Sequence, residues 1–293
     1  MCMMTNQMTK MTMKNNIRFA FFGTSHLAVY VLEALRSAGL VPQLVITIPE
    51  KPKGRGLEAK ESAADSWAKE QNIPVAHDWE KFEQESWHLA VVADYGKILP
   101  ERLLAVPKHG FLNVHPSLLP RLRGPSPVRT AILRDEKKTG VTVMLVDSKM
   151  DHGPIIAQKQ IELADWPPSN SELEKILMEA GGKLLAQILP LWIEGEVEAR
   201  EQNHDLATFT EKFEKEDGLL DLEADAYQNL LKICALENWP GTYAFFERAD
   251  KKVRVQVLVA HIEGTKLIID SVRPEGKREM RYEEFLRSGA KPL

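Results

Sequence analysis

Apolar residues fall in short, dense runs that alternate with stretches of helical spacing. IRFAFFG (residues 17–23) is one such run; it ends in a Gly-Thr-Ser turn and is followed by HLAVYVLEALRSAG (26–39), whose apolar positions recur at i, i+3 and i+4 and stop at Gly39. That order predicts strand, tight turn, helix. PQLVITIP (42–49) reads as a second strand, AKESAADSWAKEQNI (59–73) as a helix and HLAVVADYG (88–96) as a further buried strand. Strands alternating with helices predict a Rossmann-like, mostly parallel α/β sheet, with ligands in the crevice beyond the strands' carboxyl ends. The first turn is not GxGxxG, because Gly23 is followed by Thr24, Ser25 and His26, so a dinucleotide is not expected.

Further along, FLNVH (111–115) continues as a strand. Ser126 and Pro127 read as an N-cap and N1 pair opening a helix, VRTAILRDE (128–136). GVTVMLVD (140–147) and IIAQKQI (155–161) are expected to form an antiparallel pair across the loop SKMDHGP. A long helix over 170–195 closes this unit, and the charged stretch 196–217 reads as a linker with little core of its own. Beyond it, AYQNLLKICAL predicts a helix, and TYAFFER, VRVQVLVAHIEG and KLIIDSVRP predict short strands of a small β-barrel-like domain over 218–293. The expected organisation is thus a tail over 1–16, an α/β domain over 17–195, a linker over 196–217 and a β domain over 218–293.

The chain has 293 residues, 44% hydrophobic and 27% charged, which suits a soluble globular protein with more than one domain. A net charge of -4 argues against a protein that coats nucleic acid non-specifically, and a local basic face remains open. From Arg248 to the C-terminus, eleven Lys and Arg stand against seven Asp and Glu, a basic module on an acidic body. The two cysteines, Cys2 and Cys234, give neither a disulfide framework nor a zinc site, so a reducing cytoplasm is the expected location and no metal is expected. The Met-rich opening is polar and lacks the apolar core of a secretory signal. No later stretch is expected to reach the ~20 apolar residues of a membrane span.

The candidate chemistry sits in FLNVHPSLLPRLRGPSPV (111–128). Asn113 and His115 are two apart on a predicted strand, so their side chains share a face at the sheet's carboxyl end. An Asn amide can donate to a developing oxyanion and a His can deliver or accept a proton, a pairing suited to acyl or formyl transfer. Asp151, in a loop after another strand, is the carboxylate available to orient and charge that His. The residues alone leave the bland alternatives open: Asn113 tying down a turn, His115 a satisfied core imidazole, Asp151 an ordinary turn residue. No nucleophile-elbow serine, Walker A loop or HExxH competes with this site.

NVHPSLLPRLRGPSP, with FAFFGTSHLAVYVLEAL, PEKPKGRG, VVADYGKILP, GVTVMLVDSKMDHGPII and TFTEKFEKEDGLLD, resembles the folate-dependent formyltransferases, and within them those acting on methionyl-tRNA. The resemblance runs from about residue 17 to the C-terminus and thins over the last fifty residues. It implies that Asn113, His115 and Asp151 are the catalytic trio and that Ser117, Leu118, Leu119 and Pro120 line the tetrahydrofolate site. It also implies 10-formyltetrahydrofolate as co-substrate, initiator methionyl-tRNA as acceptor, a monomer, and no metal or membrane. Lys51, Lys53 and Arg55 match a loop thought to reach tRNA, and otherwise read as a solvated surface loop. Arg121 and Arg123 read equally as phosphate or folate-tail contacts and as surface arginines. The chain departs from the family between VLVAHIEG and LIIDSVRP, joined here by TK alone, so a shortened OB-like barrel is expected. An amino-sugar nucleotide is the rival acceptor.

Overall fold

The computed structural model describes residues 17–49 and 61–293. The N-terminal tail and the loop bearing Lys51, Lys53 and Arg55 lie outside the described residues. Two compact units are present: one holds the described residues up to Arg123 with Gly140–Ile161 and Glu174–Phe209, the other Gly124–Thr139, Glu162–Leu173 and Thr210–Leu293.

In the first unit β1 (Phe19–Phe22), β2 (Leu44–Ile46), β3 (Val75–Ala76), β4 (Leu89–Val92), β5 (Phe111–His115), β6 (Thr139–Leu145) and β7 (Ile155–Ile161) form one sheet, in the order β3-β2-β1-β4-β5-β6-β7. The first five are parallel and β6 runs antiparallel to β5. The Leu145 amide donates to the Pro154 carbonyl, and a Cβ on Gly140 would lie 2.3 Å from the Lys159 carbonyl oxygen. Those facing pairs make β6 and β7 the antiparallel hairpin the sequence predicts. Strand order reverses between β1 and β4, which sets the ligand crevice outside their carboxyl ends.

β1 explains why the strands read as unbroken apolar runs. Phe19 and Phe21 enter one buried cluster with Val31, Leu35 and Met178; Ala20 and Phe22 enter a second, on the other face, with Phe82, Trp87 and Phe111. A sheet covered on both faces has no polar alternation to show. Gly23 follows β1 where only a glycine fits, since a Cβ there would lie 2.5 Å from the Phe21 ring and 2.8 Å from the Ala93 carbonyl oxygen. Ser25 then caps helix His26–Ser37, accepting from the Leu27 amide at 3.0 Å.

Helix Asn170–Glu194 is long and apolar enough to cross a membrane by length and composition only, a test that a core helix also passes. Its apolar side is spent on the sheet: Leu177, Met178, Leu185 and Leu189 are buried, and a Cβ on Gly181 would lie 2.4 Å from Val114 and 2.7 Å from Val141. Gly181 thus lets the helix backbone sit directly on β5 and β6, the strands that carry the candidate site.

The second unit contains helices Pro127–Leu133 and Ala226–Ala235 and an antiparallel sheet, β8 (Thr242–Arg248), β9 (Lys251–Glu263), β10 (Lys266–Pro274), β11 (Met280–Arg281) and β12 (Lys291–Pro292), in the order β11-β10-β9-β8-β12. Phe246, Val255, Val257, Val272 and Phe285 form its core. Pro127 opens its helix as expected, whereas Ser126 makes no side-chain cap bond; its amide donates to Thr210 Oγ1 instead.

Candidate active site

β5 places the two residues singled out by their spacing. Asn113 pairs with Val92, the last residue of β4, and His115 ends β5 opposite Thr142, so both stand at the carboxyl rim of the sheet. The chain then leaves the sheet and needs new partners for its backbone. Thr142 supplies them: its hydroxyl donates to the Ser117 carbonyl at 2.7 Å and accepts from the Leu119 amide at 3.1 Å. Gln158 of β7 adds a donated bond to the Leu119 carbonyl, and the Ser117 hydroxyl donates to the Arg121 carbonyl. The prolines and polar groups after β5 therefore build a loop lashed to β6 and β7.

His115 is only 4% exposed. Its Nε2 lies 3.0 Å from the Leu122 carbonyl oxygen and its Nδ1 lies 3.6 Å from Asp151 Oδ1. Nε2 is within hydrogen-bond distance of the carbonyl, whereas the 3.6 Å approach of Nδ1 to Asp151 is that of an ion pair and is too long for a hydrogen bond. Leu122 and Asp151 both have positive φ, 58° and 49°. For a leucine that conformation costs about 1–2 kcal/mol. Thr208 offsets it, its hydroxyl accepting from the Leu122 amide and its carbonyl from the Arg123 amide, each at 2.9 Å.

Asn113 is half-buried and makes no side-chain hydrogen bond among the described residues. An amide held at a sheet rim beside a buried imidazole, with both N–H donors available, is suited to meet an oxygen on a bound molecule. Ser117 and Leu119 are buried while Leu118 and Pro120 are half-buried. The exposed parts of that segment are apolar, as contact with a flat aromatic ring system requires. Among the described residues no group of three or more His, Cys, Asp or Glu is placed to hold a metal ion.

Two arginines part company. Arg121 is exposed, whereas Arg123 is 3% exposed and is no surface residue. Burial lowers the Arg123 pKa, opposed by the carboxylates of Asp151 and Asp147. Its guanidinium donates to Gln202 Oε1, from Nε at 3.1 Å and Nη2 at 2.6 Å, and to His204 Nδ1 at 2.9 Å. The His204 ring stacks on His152, centroids 4.1 Å apart, and His152 Nδ1 donates to Asp147 at 2.6 Å. The stretch read as a linker is thus strapped to the site: Arg200 and Ile155 exchange two backbone bonds, and Gln202 is 4% exposed. Gln202, Thr142, Thr208 and the Leu122 carbonyl were not legible as site residues, because each acts through a partner distant in the chain.

The family model described as Formyl transferase matches residues 16–189, more than half of the chain. The chain belongs to the formyl transferase family. A methionyl-tRNA formyltransferase from Chloroflexus aurantiacus is 38% identical over 261 residues, covering 86% of this chain and 83% of that protein. One from Thermus thermophilus is 36% identical over 269 residues, covering 89% and 86%. Among solved structures, a methionyl-tRNA formyltransferase from Clostridium thermocellum superposes with a TM-score of 0.59 at 16% identity, over 88% of this chain and 98% of that one. An N-formyltransferase from Helicobacter canadensis in complex with folinic acid and dTDP-3-aminofucose superposes at 0.62 and 18%, over 86% and 98%. At those identities both structures speak for the fold of this formyl transferase.

Proposed function

We propose that this formyl transferase moves the formyl group of 10-formyltetrahydrofolate to the α-amine of methionyl-initiator-tRNA, in the cytoplasm and as a monomer. The observation that carries the chemistry is His115, buried between the Leu122 carbonyl and Asp151, beside the free Asn113 amide. The relatives at 36–38% identity support methionyl-tRNA as the acceptor. The folate donor supplies an electrophilic formyl carbon. As the amine attacks, the formyl oxygen gains charge; the Asn113 amide stabilises it, and the Asp151 carboxylate orients the His115 imidazole. His115 is the residue placed to relay the proton lost by the attacking amine to the folate nitrogen as that nitrogen's bond to the formyl carbon breaks. Ser117, Leu118, Leu119 and Pro120 form the donor's wall, Leu118 and Pro120 by contact and Ser117 and Leu119 by shaping the loop.

The β unit supplies the support for RNA. Lys252 lies over the Phe245 ring at 4.0 Å and Arg254 over Tyr243 at 3.7 Å, with Arg254, Gln256, Arg273 and Lys277 lining one pocket. Cations interleaved with aromatics suit phosphates and unstacked bases. We read this sheet as a shortened OB-like barrel over 218–293, after a catalytic domain over 17–195 and a connection over 196–217. Its support is the 13-residue β9, joined to β10 by two residues and irregular in register near Ser271, a device that bends strands. Lys51, Lys53 and Arg55 are proposed as a second tRNA contact.

The test is formyl transfer from 10-formyltetrahydrofolate to purified initiator methionyl-tRNA, with amino-sugar nucleotides as competing acceptors. Formyl-methionyl-tRNA is the expected product. Formylation of the sugar alone, or of neither acceptor, would overturn the assignment.

A further inference from the structure

The Gln202 side chain is an amide with all four of its hydrogen-bonding positions used. Nε2 donates to the Asp151 carbonyl at 2.9 Å and to the Gly153 carbonyl at 2.7 Å; Oε1 accepts twice from the Arg123 guanidinium. The orientation of the amide follows from its neighbours, since turning it over would face oxygen with carbonyls and NH2 with a guanidinium. The amide joins two backbone stretches that meet nowhere in sequence: the one ending in Leu122 and Arg123, whose Leu122 carbonyl faces His115 Nε2, and the one carrying Asp151, whose carboxylate faces His115 Nδ1. Gly153 cannot relieve a shift of that second stretch, because a Cβ there would already lie 2.1 Å from the Leu145 carbonyl oxygen, so the turn is packed tight on β6.

We propose that Gln202 is a positioning residue for formyl transfer, holding the Asp151 loop and the Arg123 segment at the spacing that sets the Leu122 carbonyl against His115 Nε2 and the Asp151 carboxylate 3.6 Å from Nδ1. It touches no reacting atom and acts through Asp151. The inference rests on the roles given above to His115 and Asp151. Buried, charge-assisted bonds on one side and two backbone carbonyls on the other make the strut stiff, and a displacement of about 1 Å in such a constellation costs a rate on the order of a hundredfold.

Gln202→Glu is close to isosteric and is the informative variant: it keeps an acceptor for Arg123 but sets a carboxylate oxygen against the Asp151 and Gly153 carbonyls, expelling the loop. Gln202→Ala removes the strut altogether. Both are to be compared with the wild-type chain by steady-state kinetics and by the ¹⁵N and ¹H resonances of the His115 ring, which need no acceptor. The expected result is a kcat lower by about ten- to a hundredfold with the KM for 10-formyltetrahydrofolate changed less than about twofold, together with displaced His115 ring resonances in the folded Gln202→Glu protein. Unchanged ring resonances and kcat in a folded variant would overturn the proposal, as would kcat, donor KM and thermal midpoint falling together with the ring resonances in place. If wild type fails to formylate methionyl-tRNA, the functional assignment fails, and the His115 resonances still decide the role of Gln202.

Discussion

His115 is a buried residue at the end of a short strand, and the proton-handling role proposed for it rests on the Leu122 carbonyl and the Asp151 carboxylate beside its ring. With Asn113 as the proposed oxyanion donor, Asn113→Ala is expected to lower kcat by about 10²- to 10³-fold, measured with saturating acceptor. Asp151→Asn keeps the shape of the loop and removes its charge; single-turnover formyl transfer is expected to slow by at least about a hundredfold while the folate donor still binds. Wild-type rates in either variant would remove these residues from the chemistry. Cys234 illustrates the opposite kind of residue. Burial pushes its thiol up to about 11, so it stays protonated and inert. In a Cys2→Ser background, alkylation near pH 8 is expected to be slow in the folded protein and fast after unfolding, read by mass spectrometry.

Among elements, helix Asn170–Glu194 and its seat on the sheet decide how rigid the site's floor is. Gly181→Val forces side-chain atoms into Val114 and Val141 and is expected to lower stability by about 1–3 kcal/mol, read as a shift of the urea midpoint. In the other unit, Asp135 receives hydrogen bonds from Trp166 at 2.6 Å and Tyr227 at 2.8 Å. Burial and the Asp135 carboxylate push the Tyr227 phenol up from its usual 10 to about 12. A raised folded pKa means the contribution is intact below the unfolded value and is lost as pH rises through the folded one. The thermal midpoint is therefore expected to fall between about pH 10 and about pH 12, and the Tyr227→Phe variant to show a shallower fall over that window.

At the scale of the whole molecule, charge is unevenly shared: the chain carries -4 overall, while its last stretch is basic. Phosphate contacts release counterions, so replacing Arg254, Arg273 and Lys277 by Gln is expected to weaken acceptor use and to flatten its salt dependence, by roughly 0.7 to 0.9 of a log–log slope unit for each phosphate no longer neutralised. The folate KM is expected to stay put. A salt slope equal to wild type would move the RNA-binding face elsewhere, Lys51, Lys53 and Arg55 being the next set to neutralise.

Periodicity alone determined most of the elements, because dense apolar runs and i, i+4 stripes are local consequences of burial; β1, β5, β7, β8 and β10 lie where their residues predict. Asn113 and His115 were legible as candidates because a period of two puts them on one face, whereas the 3.6 Å approach of Asp151 to His115 was not, since spacing alone leaves that contact open. Short elements with little periodicity were not, such as Val75–Ala76, Glu80–Gln84 and Tyr282–Arg287. Only the tertiary structure decided that Arg123 is buried, that the long apolar helix lies on the sheet, and that the charged stretch after it reaches back as a strap. Those outcomes depend on which polar partner a side chain meets across eighty residues, as Arg123 meets Gln202, and hydrogen-bond satisfaction of that kind leaves no period in the sequence.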